Sequence, residues 1–183
     1  MPDRLHFTDD DAANELIATD SFALLVGFVL DQQITVQHAF AGPLTIKQRL
    51  GKLDAATLAS ADLEPVFRER PAVHRYPGSM AKRVHDLAVY VRDTYDGHAE
   101  RVWTEAQNAE ELKANLMALP GFGEMKVKAL GSVLAKRFGV KLAEPLVPWH
   151  PALGDVDSRE ALADYQAKKR EHKAEWQKAK AAR

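Results

Sequence analysis

The sequence predicts an all-α protein, and three observations carry the prediction. Apolar residues recur at three- and four-residue spacing through most of the chain, the repeat of a helix with one buried face. Asp, Ser or Thr stands ahead of several of these runs, at Asp20, Thr35, Asp54 and Ser158, where a side-chain oxygen satisfies the free amides of a first turn. No segment shows the apolar/polar alternation of a strand. With 183 residues, 46% of them hydrophobic, the chain is long enough for one well-buried domain or two small lobes sharing a cleft.

Thr8, followed by Asp9, Asp10 and Asp11, marks the start of the first helix, whose apolar positions are Ala12, Leu16 and Ile17. Asp20-Ser21 restarts a helix whose body, Phe22 to Leu30, is apolar on every side. A helix of that kind is buried all round and forms the spine of a domain, and this one is too short to span a bilayer. Asp31, Gln32 and Gln33 end it, and polar groups there must reach the surface or line a cleft. Thr35 caps a helix from Val36 to Leu50, which Pro43 is expected to interrupt or kink and Gly51 to terminate. Asp54 opens a short helix, and another covers Leu63 to Phe67.

The loop from Arg70 to Gly78 is basic and aromatic, and Pro71 and Pro77 stiffen it. Ser79 is expected to cap a long helix with an apolar stripe at Val84, Leu87, Ala88 and Val91, ending near Asp96-Gly97. Val102-Trp103 and a helix from Ala109 lead into the bend Leu119-Pro120-Gly121-Phe122-Gly123. A second helix leaves that bend, with Val127, Leu130, Val133 and Leu134 on its apolar side. Pro145, Pro148 and Pro151 then fall within seven residues and define a loop. Ser158 and Glu160 open the last helix, whose end, from Lys168 to Arg183, carries seven Lys or Arg against two Glu. Such a run reads as a solvated helix or frayed tail, with a phosphate-contacting arm as the alternative.

Composition narrows the function. A net charge of -1 gives no global positive field, so any nucleic-acid binding rests on local patches. The absence of cysteine excludes disulfides, cysteine-ligated zinc and iron–sulfur clusters. His6, His38, His85, His98 and His172 show no ligand spacing with carboxylates, and no metal site is expected. The first residues lack a basic-then-apolar signal and no apolar run reaches membrane-spanning length, so the expectation is a cytoplasmic protein without membrane contact.

Chemistry concentrates at the double-glycine bend. Two glycines after a proline allow a tight turn whose amides converge, and those amides open a helix, where unpaired N–H groups and the dipole attract an anion such as a phosphate. Lys126 and Lys128 add charge on the first turn. The same spacing fits an ordinary helix-to-helix connection. Leu119-Pro120-Gly121-Phe122-Gly123 and its basic helix resemble the helix-hairpin-helix of DNA glycosylases that pair this hairpin with a Gly/Pro-rich loop and an aspartate. Leu30-Asp31-Gln32-Gln33-Ile34-Thr35 resembles the family's glutamine-containing helix end beside the flipped base. Pro77-Gly78-Ser79-Met80-Ala81-Lys82-Arg83-Val84 resembles its middle segment. The three occur in the family's order and span roughly residues 20 to 140.

The resemblance implies a two-lobed helical bundle over residues 1–157 with interleaved helices, DNA crossing the cleft between the lobes, and a basic C-terminal helix or tail over 158–183. It implies a monomer that binds double-stranded DNA and hydrolyses the N-glycosidic bond of a damaged, modified or mismatched base after flipping it out of the stack. Gln33, with Gln32 beside it, would be the wedge or opposite-base reader. Gly121, Gly123, Lys126 and Lys128 would hold phosphate. Phe122 is part of the same DNA-binding hairpin, although its side chain, like Trp103, reads as core. Ser79 and Lys82 would lie at the start of the middle helix, and His74, Arg75 and Tyr76 along the groove. A hairpin of this type can hold a monovalent cation through backbone carbonyls, and no other cofactor is implied.

The sequence departs from the family in two places. Relatives carry the aspartate in the loop after the second hairpin helix, whereas Ala143 to Pro151 contains none, and Trp149 or His150 takes its place. Asp155 is the first candidate for the missing carboxylate, Asp31 the second, with Glu144 and His150 behind; an Asp ahead of Ser158 is also an ordinary helix-start residue. Lyase relatives place a Schiff-base lysine where this chain has Met125, and Lys126 is about a hundred degrees further round the helix and is expected to point elsewhere. A monofunctional, water-using enzyme is therefore expected. A DNA-binding module that keeps the hairpin and lacks the chemistry is the alternative.

Overall fold

The computed structural model describes all 183 residues and contains helices and turns but no strand. Its α-helices are α1 (Asp11–Thr19), α2 (Ser21–Leu30), α3 (Val36–Leu50), α4 (Ala55–Ser60), α5 (Leu63–Arg68), α6 (Pro77–Tyr95), α7 (Arg101–Thr104), α8 (Ala109–Ala118), α9 (Glu124–Lys136) and α10 (Arg159–Ala181). Two short 3-10 turns, Lys141–Leu146 and Leu153–Asp155, lie between α9 and α10.

The spine is α2. Asp20 accepts the amides of Phe22 and Ala23 to start it, and every residue from Phe22 to Leu30 is buried. The chain turns through 115° between α1 and α2, and no single helix is long and apolar enough to cross a membrane. Gly27 lets α3 approach: a Cβ there would stand 2.4 Å from the Phe40 ring. That ring in turn meets Phe7 and Phe28 edge-on, at 5.0 and 5.1 Å between centroids.

The first helix starts at the Thr8–Asp11 segment as expected, with Asp10 accepting the Ala13 amide as its cap. Two expectations about helix ends and interruptions are corrected. Pro43 does not interrupt α3, which runs from Val36 to Leu50 against α1 and α2; packing on both neighbours offsets the one backbone bond a proline removes. Pro77, not Ser79, opens α6, since a proline at the first helical position forfeits an amide that has no partner anyway. Thr35, Asp54 and Ser158 cap as expected, and Gly51 closes α3 at φ 80°.

Helices α4 and α5 pack on α6, α6 crosses α2, and α9 is clasped by both 3-10 turns. Close approach at the second clasp requires Gly154, whose amide donates to Ser132 Oγ and whose Cβ would stand 2.2 Å from the Ser132 carbonyl oxygen. A single cluster of 47 buried residues runs from Leu5 to Tyr165. Leu162 and Tyr165 belong to it, and Gln37 and Gln166 exchange side-chain hydrogen bonds between α3 and α10. In the first two turns of α10 Leu162 and Tyr165 are thus core, and its continuous exposure begins at Lys168.

Candidate functional site

The site grows from the C-terminal end of α2, whose last carbonyls need donors from elsewhere in the chain. Lys126 Nζ donates to the Val29 carbonyl at 3.0 Å, which ties the first turn of α9 to the end of α2. His74 Nε2 donates to the carbonyls of Leu30 and Gln32 at 3.1 and 3.0 Å, while its Nδ1 accepts the Tyr76 amide. That pattern requires the neutral imidazole, and burial lowers its pKa against the opposing pull of the two carbonyls. His74 is thus a buried peg and not a groove residue, which corrects the sequence expectation. Arg75 and Tyr76 do face solvent, with the guanidinium 5.5 Å from the phenol ring centroid.

The bend joining α8 to α9 lies over this same helix end. Gly121 takes φ 84°, a left-handed value that favours glycine, and a Cβ on it would come within 4.0 Å of the Val29 side chain. Gly123 caps α9 without a side-chain hydrogen bond, so the first amides of α9 have no capping side chain; Gly123, Glu124 and Met125 are exposed. Phe122 is buried beside Phe28, in keeping with its reading as a core residue, and its amide donates to the Leu119 carbonyl. Lys128 stays at the surface, 3.7 Å from Glu124.

The glutamines divide. Gln32 Oε1 accepts from Arg83 of α6 and is half-buried, whereas Gln33 is exposed and holds φ 59°, a conformation uncommon outside glycine. Ser79 is exposed and Lys82 pairs with Asp86 at 2.8 Å; both sit on the outer start of α6, near Arg83, and neither lines the pocket described next.

A pocket of about 310 Å³ opens between the end of α2, the first turns of α9, the Pro148–Leu153 loop and α10. Asp31 and Phe28 form one wall, Lys126 another, and Tyr165, Lys169 and His172 of α10 a third. Burial raises the Asp31 pKa, opposed by Lys169 and then Lys126. Burial also brings Lys126 from the usual 10.5 down to about 8; Asp31 pulls it back up and Arg83 pushes it further down. Lys126 therefore borders the Asp31 pocket with its amine on the Val29 carbonyl, because the end of α2 lies beneath that side of α9.

Asp155 is placed differently. It pairs with Lys136 and accepts the Ala152 amide at 2.9 Å. Burial works to raise its pKa, and these bonds outweigh it, holding the carboxyl below the usual range. It does not line the pocket, and neither does exposed Glu144. His150 does, and its ring stacks on His172 at 5.7 Å. No three His, Cys, Asp or Glu side chains come together in a metal-binding arrangement.

Sequence reasoning missed Tyr165, Lys169 and His172: α10 is expected from Ser158, but its end from Lys168 reads as a solvated run or a phosphate-contacting arm, neither of which lines a pocket. Leu162 and Tyr165, three residues apart, were the available signal that its first turns carry an apolar stripe. Comparison with family models, curated proteins and solved structures finds no match for this chain.

Proposed function

We propose that this chain is a DNA N-glycosylase of the helix-hairpin-helix type, acting on a flipped base by hydrolysis, with Asp31 as its carboxylate. The observation that carries the reading is the Asp31 pocket lying directly beside the uncapped first turn of α9. Free amides there, with Lys128 at the surface, suit a DNA phosphate. Exposed Gln33 beside Asp31 suits a wedge filling the gap left by the extruded nucleotide.

In the pocket, departure of the base builds positive charge on the sugar. Asp31 stabilises that charge and takes the proton of an attacking water as the new C–O bond forms. Lys169 and Lys126 favour the ionised form of Asp31 against the burial that raises its pKa. The Lys126 amine is committed to the Val29 carbonyl, which favours water over the amine as nucleophile.

Single-turnover assays on duplexes carrying a panel of modified bases test the proposal. Release of base by the wild type, its loss in Asp31→Asn with duplex binding retained, and no borohydride-trapped adduct are the expected results. Full activity in Asp31→Asn refutes the assignment. A second reading, a DNA-binding module without chemistry, draws on the engagement of Asp155 by Lys136; it predicts salt-dependent duplex binding and no abasic product from any substrate.

A further inference from the structure

The outer half of α10 has no role in the pocket chemistry, yet one of its faces continues the pocket wall. Tyr165, Lys169, His172, Trp176 and Lys180 fall within an arc of about 80° at a hundred degrees per residue. The first three line the pocket, and the last two carry the same face outward. Aromatic and cationic groups alternate along it: Lys169 lies 5.7 Å from the Tyr165 ring centroid and Lys180 5.3 Å from that of Trp176. Asp164, Glu171 and Glu175 sit on the flank beyond His172, off this face. Trp149 stands across from it, 5.8 Å from His172, with 88% of its surface exposed; Trp176 is 60% exposed.

Two large aromatic rings held at the surface, interleaved with ammonium groups, match what an unpaired polynucleotide offers, namely base faces that stack and phosphates that need cations. A solvated helix needs no tryptophan, and an apolar partner would not call for the lysines between the rings. A helix lying in a membrane surface keeps its lysines on the face opposite its aromatic residues, whereas here both share one face. We propose that this face of α10, with Trp149, is a track for an unpaired nucleic-acid strand leading to or from the pocket. The distance from Tyr165 to Lys180 along the helix is about 22 Å, room for up to about six nucleotides at ~3.4 Å each. Only the connection to the pocket rests on the glycosylase reading; the stacking surface does not.

Fluorescence anisotropy with a labelled oligothymidylate and a labelled blunt duplex separates the two ideas. Trp149→Ala and Trp176→Ala are each expected to weaken oligothymidylate binding about tenfold and to leave the blunt duplex unaffected, whereas Lys128→Ala, at the exposed start of α9, weakens the duplex. Both tryptophans are exposed, so the variants fold, and circular dichroism checks that α10 persists. Unchanged oligothymidylate affinity in both tryptophan variants overturns the track, as does failure of the wild type to bind oligothymidylate. Tryptophan-dependent oligothymidylate binding without any duplex binding upholds the track and removes the glycosylase reading.

Discussion

Lys126→Met tests the physical heart of the site, because the environment of that lysine has a measurable thermodynamic consequence. Lowering a lysine pKa from 10.5 to about 8 corresponds to about 3 kcal/mol of folding free energy. Below pH 8 the folded and unfolded chains both hold the proton, so the folded protein bears the whole cost of a desolvated ammonium. Between about 8 and 10.5 the unfolded chain keeps the proton and the folded chain releases it, so stability rises with pH. Tyr95 and Tyr165 have raised pKa values, and their unfolded phenols ionise first, so they reverse the trend above about pH 10. The informative window is therefore pH 8 to 10, where the wild type should gain about 2 to 3 kcal/mol.

The methionine variant loses the proton and with it the slope. It also leaves the Val29 carbonyl without its donor, at about 1 to 3 kcal/mol. Its stability should match or slightly exceed wild type at pH 7 and fall below it by pH 10. Urea denaturation followed by circular dichroism across that range measures both curves. A flat wild-type profile, or two profiles that rise in parallel, would show that Lys126 is solvated and that the pocket wall is wrongly drawn.

Other substitutions probe the scaffold around the pocket. His74→Ala strands the carbonyls of Leu30 and Gln32 and the amide of Tyr76, and a loss of about 2 to 5 kcal/mol is expected in thermal denaturation. Because burial lowers the His74 pKa, wild-type stability should also fall as pH drops below 6.5, where the unfolded imidazole takes a proton first, and the variant should lack that fall. Asp155→Ala removes a half-exposed ion pair and one amide acceptor, costing about 1 kcal/mol in urea denaturation and leaving base release intact. Gly154→Ala drives a methyl against the Ser132 carbonyl and should cost about 1 to 3 kcal/mol, read as a lowered midpoint.

The caps were legible because capping is local: Asp20, Thr35, Asp54 and Ser158 each need only the amides two or three residues ahead. Ser79 misled for an equally local reason: Pro77 at the first helical position moves the cap to Tyr76, three residues earlier. The buried spine was visible in the unbroken apolar run from Phe22 to Leu30. The direction of Lys126 was not, since it depends on where the end of a helix about a hundred residues away in sequence comes to rest. Asp31 illustrates the same limit. Its side chain is ordinary in the sequence and becomes distinctive only when Phe28, Lys126 and α10 close around it.

Depth assigns the cations of the site to different partners. Lys126 is largely withdrawn from water and anchored to the Val29 carbonyl, so its charge acts on Asp31 through a poorly polarisable medium and is little affected by salt. Lys128 and the first amides of α9 lie outside, where attraction is weaker and screened, and where a phosphate can reach them. An anion settling on the outer groups adds negative charge near a carboxyl whose pKa burial already raises, which would favour its protonation. The buried ammonium opposes that change because it is not free to leave for the phosphate. Met125, one helical position earlier, borders the same pocket but is 85% exposed, so a charge placed there would act on Asp31 through better-screened surroundings than that of Lys126.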